Sequence, residues 1–300
     1  MPPTSQHPGR GILFLLGAIL LFAVLDTTVK HLSSHAPIPL LVWGRYSAHL
    51  ALMLLFLAPR QGLALVRAPQ LPLQILRGLL LLGCTGFGFA ALARMPVAET
   101  TAIFFTAPLL VALLAGPWLG ERLTRERWLT ALAGFAGILL IARPHAGLTS
   151  AGIALALGGA VCYACYQLLT RQLAGRTPPL TLLFYTALVG TLGASLALPW
   201  FWPGSWPPLW VILATIALGI LGGSGHLLLI HAFRNAPASL LSPFLYVQLL
   251  WATLLGAAFF GHWPDGLSFL GMGIIVASGA WLAFGAHLRQ HFRRLRAGLR

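Results

Sequence analysis

The chain has 300 residues, of which 58% are hydrophobic and only 8% are charged, and its mean hydropathy is +0.85. A water-soluble protein of this length cannot bury so much apolar surface, so the composition excludes an ordinary soluble domain and indicates a membrane protein. The net charge of +14 comes from basic residues beside apolar segments, which argues against nucleic acid as a partner.

Ten apolar runs follow one another along the chain, each of about 20 residues, the length of a membrane-spanning helix. Because backbone groups in hydrocarbon need internal hydrogen-bond partners, all ten are predicted to be α-helices. Turn-forming segments rich in Pro and Gly separate the runs, and no connecting loop is long enough to form a further domain. The predicted spans are 11–31, 38–58, 72–93, 97–118, 127–143, 150–171, 180–200, 209–233, 238–261 and 266–287.

The two halves of the chain repeat each other at an offset of 141 residues, without a gap. Gly17 and Pro96, for example, recur as Gly158 and Pro237. Five spans per half is an odd number, so the second half begins on the opposite side of the membrane and the repeat is inverted. Many secondary transporters place a binding site between such halves. The predicted units are a first repeat at 11–144, a second repeat at 150–287 and a basic tail at 288–300.

Basic residues are distributed unequally between the two sides of the predicted bundle. With the N-terminus inside, fifteen arginines fall on the internal side, and only Lys30, Arg94 and Arg143 fall on the external side. Positive residues accumulate in cytoplasmic loops, so both termini are predicted to be cytoplasmic. No organelle-targeting stretch is seen, which favours a bacterial inner membrane. The basic tail is expected either to lie on anionic lipid headgroups or to serve as a disordered topology anchor.

Ionisable side chains within the spans are the first candidates for chemistry, because a charge in hydrocarbon is costly unless it is paired or faces a polar cavity. Asp26 has Lys30 four residues later, which suits either an ion pair within the first helix or a substrate or proton site at its outer mouth. Arg45 in the second helix is expected to pair with Asp26 or with an anionic part of a solute. Glu99, in the first turn of the fourth helix, either stabilises that helix end or lines a pathway.

The second half contributes aromatic, amide and imidazole side chains, and Asp26 corresponds there to Gln167. The candidates on the sixth, eighth and ninth helices are Tyr163, Gln167, His226, Tyr246, Gln248 and Trp251. Such groups suit a partly planar or amphipathic organic solute, whereas an inorganic ion would need more charge or rings of carbonyls. Cys162 and Cys165 have the spacing of a metal motif but no further ligands, so no metal or cofactor is predicted.

Several longer segments resemble the drug/metabolite transporter superfamily, and within it proteins with two EamA-type domains. The segments that carry the resemblance are 22–46, 94–128, 134–144, 162–185 and 236–266. The loop GERLT at 120–124 is fairly specific to the pattern, and the second half departs from it at His262, where a glutamate is expected.

This resemblance implies an all-α membrane protein with ten transmembrane helices in two inverted five-helix repeats. It implies secondary active transport of small organic metabolites by alternating access. Carboxylates and histidines are scattered along the chain instead of clustered at one interface, so no enzymatic activity is predicted. The family's cavity is formed largely by the third, fourth, eighth and ninth helices, which adds Thr101 and Phe105 to the substrate-binding candidates. The pattern around Asp26, Lys30 and Arg45 resembles members that transport riboflavin or S-adenosylmethionine. An exporter of amino acids or drug-like compounds is the alternative, and a non-transporting membrane scaffold is a more distant one.

Overall fold

The structure is a computed structural model that describes residues 8–119, 125–141, 148–173, 177–235, 244–278 and 280–281. In the first half it contains the helices α1 (Pro8–Leu32), α2 (Ile38–Phe56), the short α3 (Ala58–Gln61), α4 (Leu71–Arg94), α5 (Val97–Phe104), α6 (Thr106–Leu119) and α7 (Arg125–Ile141). In the second half it contains α8 (Ser150–Leu173), α9 (Pro179–Ala197), α10 (Leu209–Asn235), α11 (Val247–Phe260) and α12 (Gly266–Ser278).

Six of these helices are long and apolar enough to cross a membrane, namely α1, α2, α4, α8, α9 and α10. Shorter apolar helices supply the remaining spans, so the chain is an all-α membrane protein, as predicted. The loop at 120–124 and the tail at 288–300, both singled out from the sequence, lie outside the described residues.

Helix boundaries repeat at the same offset as the residues. α2 begins at Ile38 and α9 at Pro179, while α6 begins at Thr106 and α11 at Val247. In both pairs the second position is the first plus 141. The two halves therefore share the lengths and breaks of their helices as well as scattered identities.

Proline residues fix where α2, α5 and α9 begin. Pro37, Pro96 and Pro178 directly precede these helices, each with an extended backbone. Proline has no backbone N–H and holds φ at about −65°, so it fits before a first turn, where an N–H would lack an intrahelical partner. The breaks expected from Pro-containing turns are confirmed at these three places.

The fourth predicted span, 97–118, is two helices instead of one. α5 ends at Phe104 and α6 begins at Thr106, with Phe105 between them. The Thr106 hydroxyl donates to the Ile103 carbonyl at 2.8 Å, a bond that bends a helix. Pro108 has no N–H to donate to the Phe104 carbonyl four residues earlier, so the helical ladder is interrupted here.

The main packing contacts join the two halves to each other. α1 lies along α10, α4 along α8 and α9, α2 along α9 and α10, and α11 against α1 and α5. Each of these pairs takes one helix from each half. A site between the halves is therefore surrounded by α1, α2, α4, α8, α10 and α11.

Small residues allow this close approach. A Cβ added at Gly219 in α10 would stand 2.8 Å from the Arg45 carbonyl oxygen in α2, and one added at Gly223 would stand 3.0 Å from the His49 ring. These two glycines have the GxxxG spacing that lets helices pack with their backbones in contact.

Candidate functional site

Polar side chains from both halves meet near the middle of α2 and in the C-terminal third of α1, in what we call the central group: Asp26, Arg45, Tyr46, Thr85 and Gln248. The Gln248 amide on α11 donates to Asp26 Oδ2 on α1 at 3.4 Å. Arg45 Nη1 on α2 donates to Thr85 Oγ1 on α4 at 2.7 Å, and the Tyr46 hydroxyl shares a 2.8 Å hydrogen bond with the same oxygen. Four helices thus place polar groups at one depth of the bundle.

The Arg45 guanidinium has further N–H groups besides the one that donates to Thr85. Its guanidinium lies over the rings of Tyr46 and Phe89, with 5.2 Å and 5.6 Å from Cζ to the centroids, and it is within electrostatic range of Asp26. In the described part of the chain, neither Lys30 nor Arg45 forms an ion pair with Asp26. The structural ion pairs considered from the spacing are therefore not formed, and Arg45 bonds a neutral hydroxyl instead.

The predicted aromatic and imidazole side chains form ring contacts. Phe105 and Tyr246, which occupy repeat-related positions at the two helix breaks, contact each other with ring centroids 5.0 Å apart. Tyr163 on α8 stacks on Tyr166 at 5.8 Å with an interplanar angle of 12°, and His226 on α10 meets the Phe22 ring edge-on at 5.0 Å. These rings could accept a flat solute in the way the residue types suggested.

The remaining predicted site residues lie elsewhere. Thr101 is buried in α5, and its carbonyl accepts the Phe105 N–H at 3.1 Å, so it belongs to the helix break. Gln167 is half-buried on α8. Trp251 packs on an apolar cluster around Leu15 on α1. The structure thus brings Asp26, Arg45 and Gln248 together, whereas Phe105 and Tyr246 pack on the apolar cluster that includes Met95 and Ile103, and Trp251 packs on a third set of side chains.

Arg77 is a buried arginine within the helix bundle, although it was predicted to lie among the arginines on the internal side of the membrane. It lies on α4 with 3% of its surface exposed, and it forms what we call the base group with Tyr166, Thr170, Leu182 and Thr186. Its guanidinium donates to three hydroxyls and the Leu182 carbonyl, at 2.7 to 2.9 Å. The charge therefore clamps α4 to α8 and α9. Its position six residues into an apolar run was the signal that could have placed it in the bundle.

A second buried ionisable group, the mouth group, lies at the end of the bundle where α1 and α4 finish: Lys30, Arg94, Glu99 and His262. Glu99 is fully buried, and its Oε1 is 3.0 Å from His262 Nε2. Its Oε2 has no hydrogen-bond partner among the described residues. His262 was noted from the sequence only as a departure from a family pattern, and its role as the partner of Glu99 was missed.

A cavity of about 210 Å³ lies beside this pair. Its polar lining comes from Lys30, Arg94 and His262, and its apolar lining includes Val97 and Phe260. The Glu99 carboxylate lies behind His262 and is not part of the lining. The cavity is therefore positively charged where it opens, with an acid buried next to it.

Comparisons with known proteins agree with this architecture. A family model described as the EamA-like transporter family matches residues 9–143 and 150–284. A riboflavin transporter of Vibrio cholerae is 29% identical over 283 residues, covering 93% of this chain and 94% of its own length. An S-adenosylmethionine uptake transporter of Rickettsia bellii is 27% identical over 211 residues, covering 70% and 72%.

Two further matches cover most of the chain. A pseudopaline exporter of Pseudomonas aeruginosa is 29% identical over 276 residues, which is 89% of this chain and 94% of the exporter. One solved crystal structure superposes with a TM-score of 0.67 at 25% identity, covering 94% of this chain and 99% of its own.

Proposed function

The chain belongs to the EamA-like transporter family, and from this premise we propose that its solute binds at the central group, beside the Phe105–Tyr246 pair. The observation that carries the proposal is that polar side chains from both halves meet there, between helices whose main contacts all join one half to the other. In an inverted repeat, a site between the halves can open to each side of the membrane in turn, which is alternating access.

The solute class follows from what the central group offers. The rings of Phe105 and Tyr246 suit a flat ring system, Arg45 provides N–H donors, and Asp26 provides an acceptor that Gln248 holds only at 3.4 Å. A heteroaromatic solute with polar edges matches these three features. Riboflavin and S-adenosylmethionine, the solutes named for two relatives, both contain such a ring system. We infer secondary active transport of a solute of this class.

Export of a metabolite is the second candidate. The exporter from Pseudomonas aeruginosa matches over 89% of this chain, so the same architecture serves outward movement in a relative. This candidate includes exporters of amino acids or drug-like compounds. A non-transporting scaffold or a membrane enzyme would not explain why the relatives with these matches are named as transporters.

We further infer a bacterial inner membrane location with both termini in the cytoplasm. Removing the buried Arg77 from the fifteen internal arginines leaves fourteen against three external basic residues, so the bias persists. The repeats at 11–144 and 150–287 would be the two moving units, and the basic tail at 288–300 would contact anionic lipid headgroups. Neither a metal nor a cofactor enters this proposal.

Uptake into proteoliposomes tests the proposal. Radiolabelled riboflavin and S-adenosylmethionine are supplied separately to vesicles containing the purified protein, Arg45→Ala or, as a control, Trp206→Ala in an exposed loop. We expect one solute to enter faster than in empty vesicles, and Arg45→Ala to reduce that rate by about tenfold or more, which corresponds to about 1.4 kcal/mol. Full activity of Arg45→Ala would refute the central group as the site, and no transport of either solute would refute the proposed solutes.

A further inference from the structure

We propose that the mouth group is a proton-binding site, in which Glu99 and His262 share one proton that enters from the adjacent cavity. The site itself is a claim about these two side chains. Its use, to drive solute movement, rests on the proposed transport function. The two claims have separate tests.

Burial of Glu99 requires a proton nearby. Its carboxyl group has no exposure to solvent, and Oε2 lacks a hydrogen-bond partner among the described residues. An ionised carboxylate taken out of water is strongly destabilised unless an opposite charge stands next to it. Either a neutral acid beside a neutral imidazole or a carboxylate beside an imidazolium removes that cost, and both arrangements contain one proton. The Glu99–His262 pair is therefore stable with one proton and strained without it.

Two basic side chains share the cavity with His262. Lys30 at the end of α1 and Arg94 at the end of α4 line the cavity that His262 also lines. Their positive charge faces the cavity through which a proton would reach His262. Among the other described helices against α5, α6 and α11 contain no Asp, Glu, Lys, Arg or His, α8 has none from 150 to 161, and α7 has them only at 125–127. One further acid, Asp265, follows His262 by three residues. The mouth group thus combines a buried acid, an imidazole and two basic side chains at one cavity.

His262 connects the cavity to the buried acid. Its side chain is 29% exposed, whereas that of Glu99 is not exposed. Nε2 faces Glu99 at 3.0 Å, which leaves Nδ1 as the second site for a proton. An imidazole can accept a proton on one nitrogen while it passes one from the other. The cavity of about 210 Å³ has room for several water molecules at about 30 Å³ each, so it can supply protons to His262.

The repeat shows that this pair is not a general device for holding helix ends. Glu99 corresponds to Leu240 in the second half, and His262 corresponds to Glu121 in the first. A contact needed only to join the ends of related helices would be expected at both places. The acid and the imidazole therefore form a contact that is specific to one side of the bundle.

The two helices that carry the pair also meet at the proposed solute site. Glu99 lies on α5, which ends at the Phe105 break, and His262 follows α11, which begins after the Tyr246 break. Glu99 and His262 join these helices at one end, and the Phe105–Tyr246 ring contact joins them at the other. Loss of the proton weakens the first contact, so α5 and α11 transmit the protonation state to the aromatic pair.

Infrared difference spectroscopy tests the site without any solute. The chain has only five Asp and Glu side chains, so substitution can separate the band of Glu99 from that of Asp26, the other acid within the bundle. Purified protein in lipid is compared between acidic and alkaline buffer. We expect a carboxylic acid C=O band that is lost on alkalinisation, is absent in Glu99→Gln and changes frequency in His262→Gln. Asp26→Asn and His31→Gln, the latter an exposed imidazole near the same end, should keep the band unchanged.

A difference spectrum that Glu99→Gln leaves unaltered would overturn the proposal. If Glu99→Gln does not fold, the His262→Gln variant provides the test, because the His262 side chain is partly exposed and its substitution should leave the fold intact. A shifted carboxylic acid band in this variant supports the shared proton. An unshifted band overturns the proposal.

Coupling is tested with labelled riboflavin as the probe. Wild-type proteoliposomes should accumulate riboflavin when an inward proton gradient is imposed. Glu99→Gln should still exchange labelled for unlabelled riboflavin and fail to accumulate it. Accumulation by Glu99→Gln would overturn the coupling claim. If the wild-type protein moves no riboflavin, the proposed solute fails, and the infrared result still decides whether the proton site exists.

Discussion

Removing one oxygen from Tyr166 tests whether the base group holds the helices together. The Tyr166 hydroxyl accepts a 2.7 Å hydrogen bond from Arg77 Nη2, and the tyrosine ring lies 4.5 Å from Arg77 Cζ. Tyr166→Phe removes the hydrogen bond and keeps the ring. Arg77 is 3% exposed, so water cannot replace the lost oxygen, and one N–H of a buried cation is left without an acceptor.

The expected loss of stability in Tyr166→Phe follows from two known ranges for the free energy of a hydrogen bond. A hydrogen bond to a charged group contributes about 1.5–3 kcal/mol in folded proteins. Hydrogen bonds between helices in membranes average about 0.6 kcal/mol and reach about 1.7 kcal/mol. Because this bond is both charged and buried, we expect Tyr166→Phe to lower the free energy of unfolding by about 1.5–2 kcal/mol.

Equilibrium unfolding in SDS-containing mixed micelles measures this change. Tyr185→Phe is the matched control: its hydroxyl donates to the Val66 carbonyl at 2.7 Å in an exposed position, where water can take its place, so the cost should be about 0.5 kcal/mol or less. A double-mutant cycle with Arg77→Met isolates the pair, because Tyr166→Phe should cost almost nothing once the guanidinium is gone. Equal costs of Tyr166→Phe in both backgrounds would refute the clamp.

Two further predictions concern packing and the aromatic pair. Gly219→Ala should lower the melting temperature, because the added Cβ would stand 2.8 Å from the Arg45 backbone oxygen. Gly273→Ala, where the added Cβ has no atom within 4 Å, should leave the melting temperature unchanged or slightly raised. Equal melting temperatures for the two variants would contradict this. Phe105→Ala and Tyr246→Ala should each raise the riboflavin Kd by about three- to tenfold, since both lose the same 5.0 Å ring contact. Riboflavin fluorescence measures this Kd, and a Kd that rises in only one of the two variants would argue against a shared site.

The fold was predictable because its main determinants are local. The length of an apolar run and the position of a proline decide where a membrane helix begins and ends, and Pro37, Pro96 and Pro178 do so here. The break at Phe105 was not predicted, although Pro108 indicated it. An apolar run shows that a segment contacts lipid, but it does not show where a backbone carbonyl loses the N–H that would donate to it.

The partners within the site were not predictable in the same way. The cost of a charge in hydrocarbon correctly drew attention to Asp26, Arg45 and Glu99. Their neighbours depend on which helices pack together, and the hydrogen bond from Arg45 to Thr85 spans 40 positions of sequence while that between Glu99 and His262 spans 163. Spacing along one helix favoured Lys30 as the partner of Asp26, and tertiary packing gave Asp26 the Gln248 amide instead.

Symmetry of the scaffold and asymmetry of the chemistry have different physical origins in this chain. Helix breaks recur 141 residues apart, because each half must be able to take the position that the other leaves when access alternates. The buried arginines do not recur: Arg77 corresponds to Leu218, and Arg45 to Thr186, whereas among the lysines and arginines only Lys30, near a helix end, has a basic counterpart, Arg171. A buried charge repeated on both sides would double the cost of desolvation without adding a second solute or proton. One charged group of each kind, held between two matched halves, is therefore what a carrier of a single solute requires.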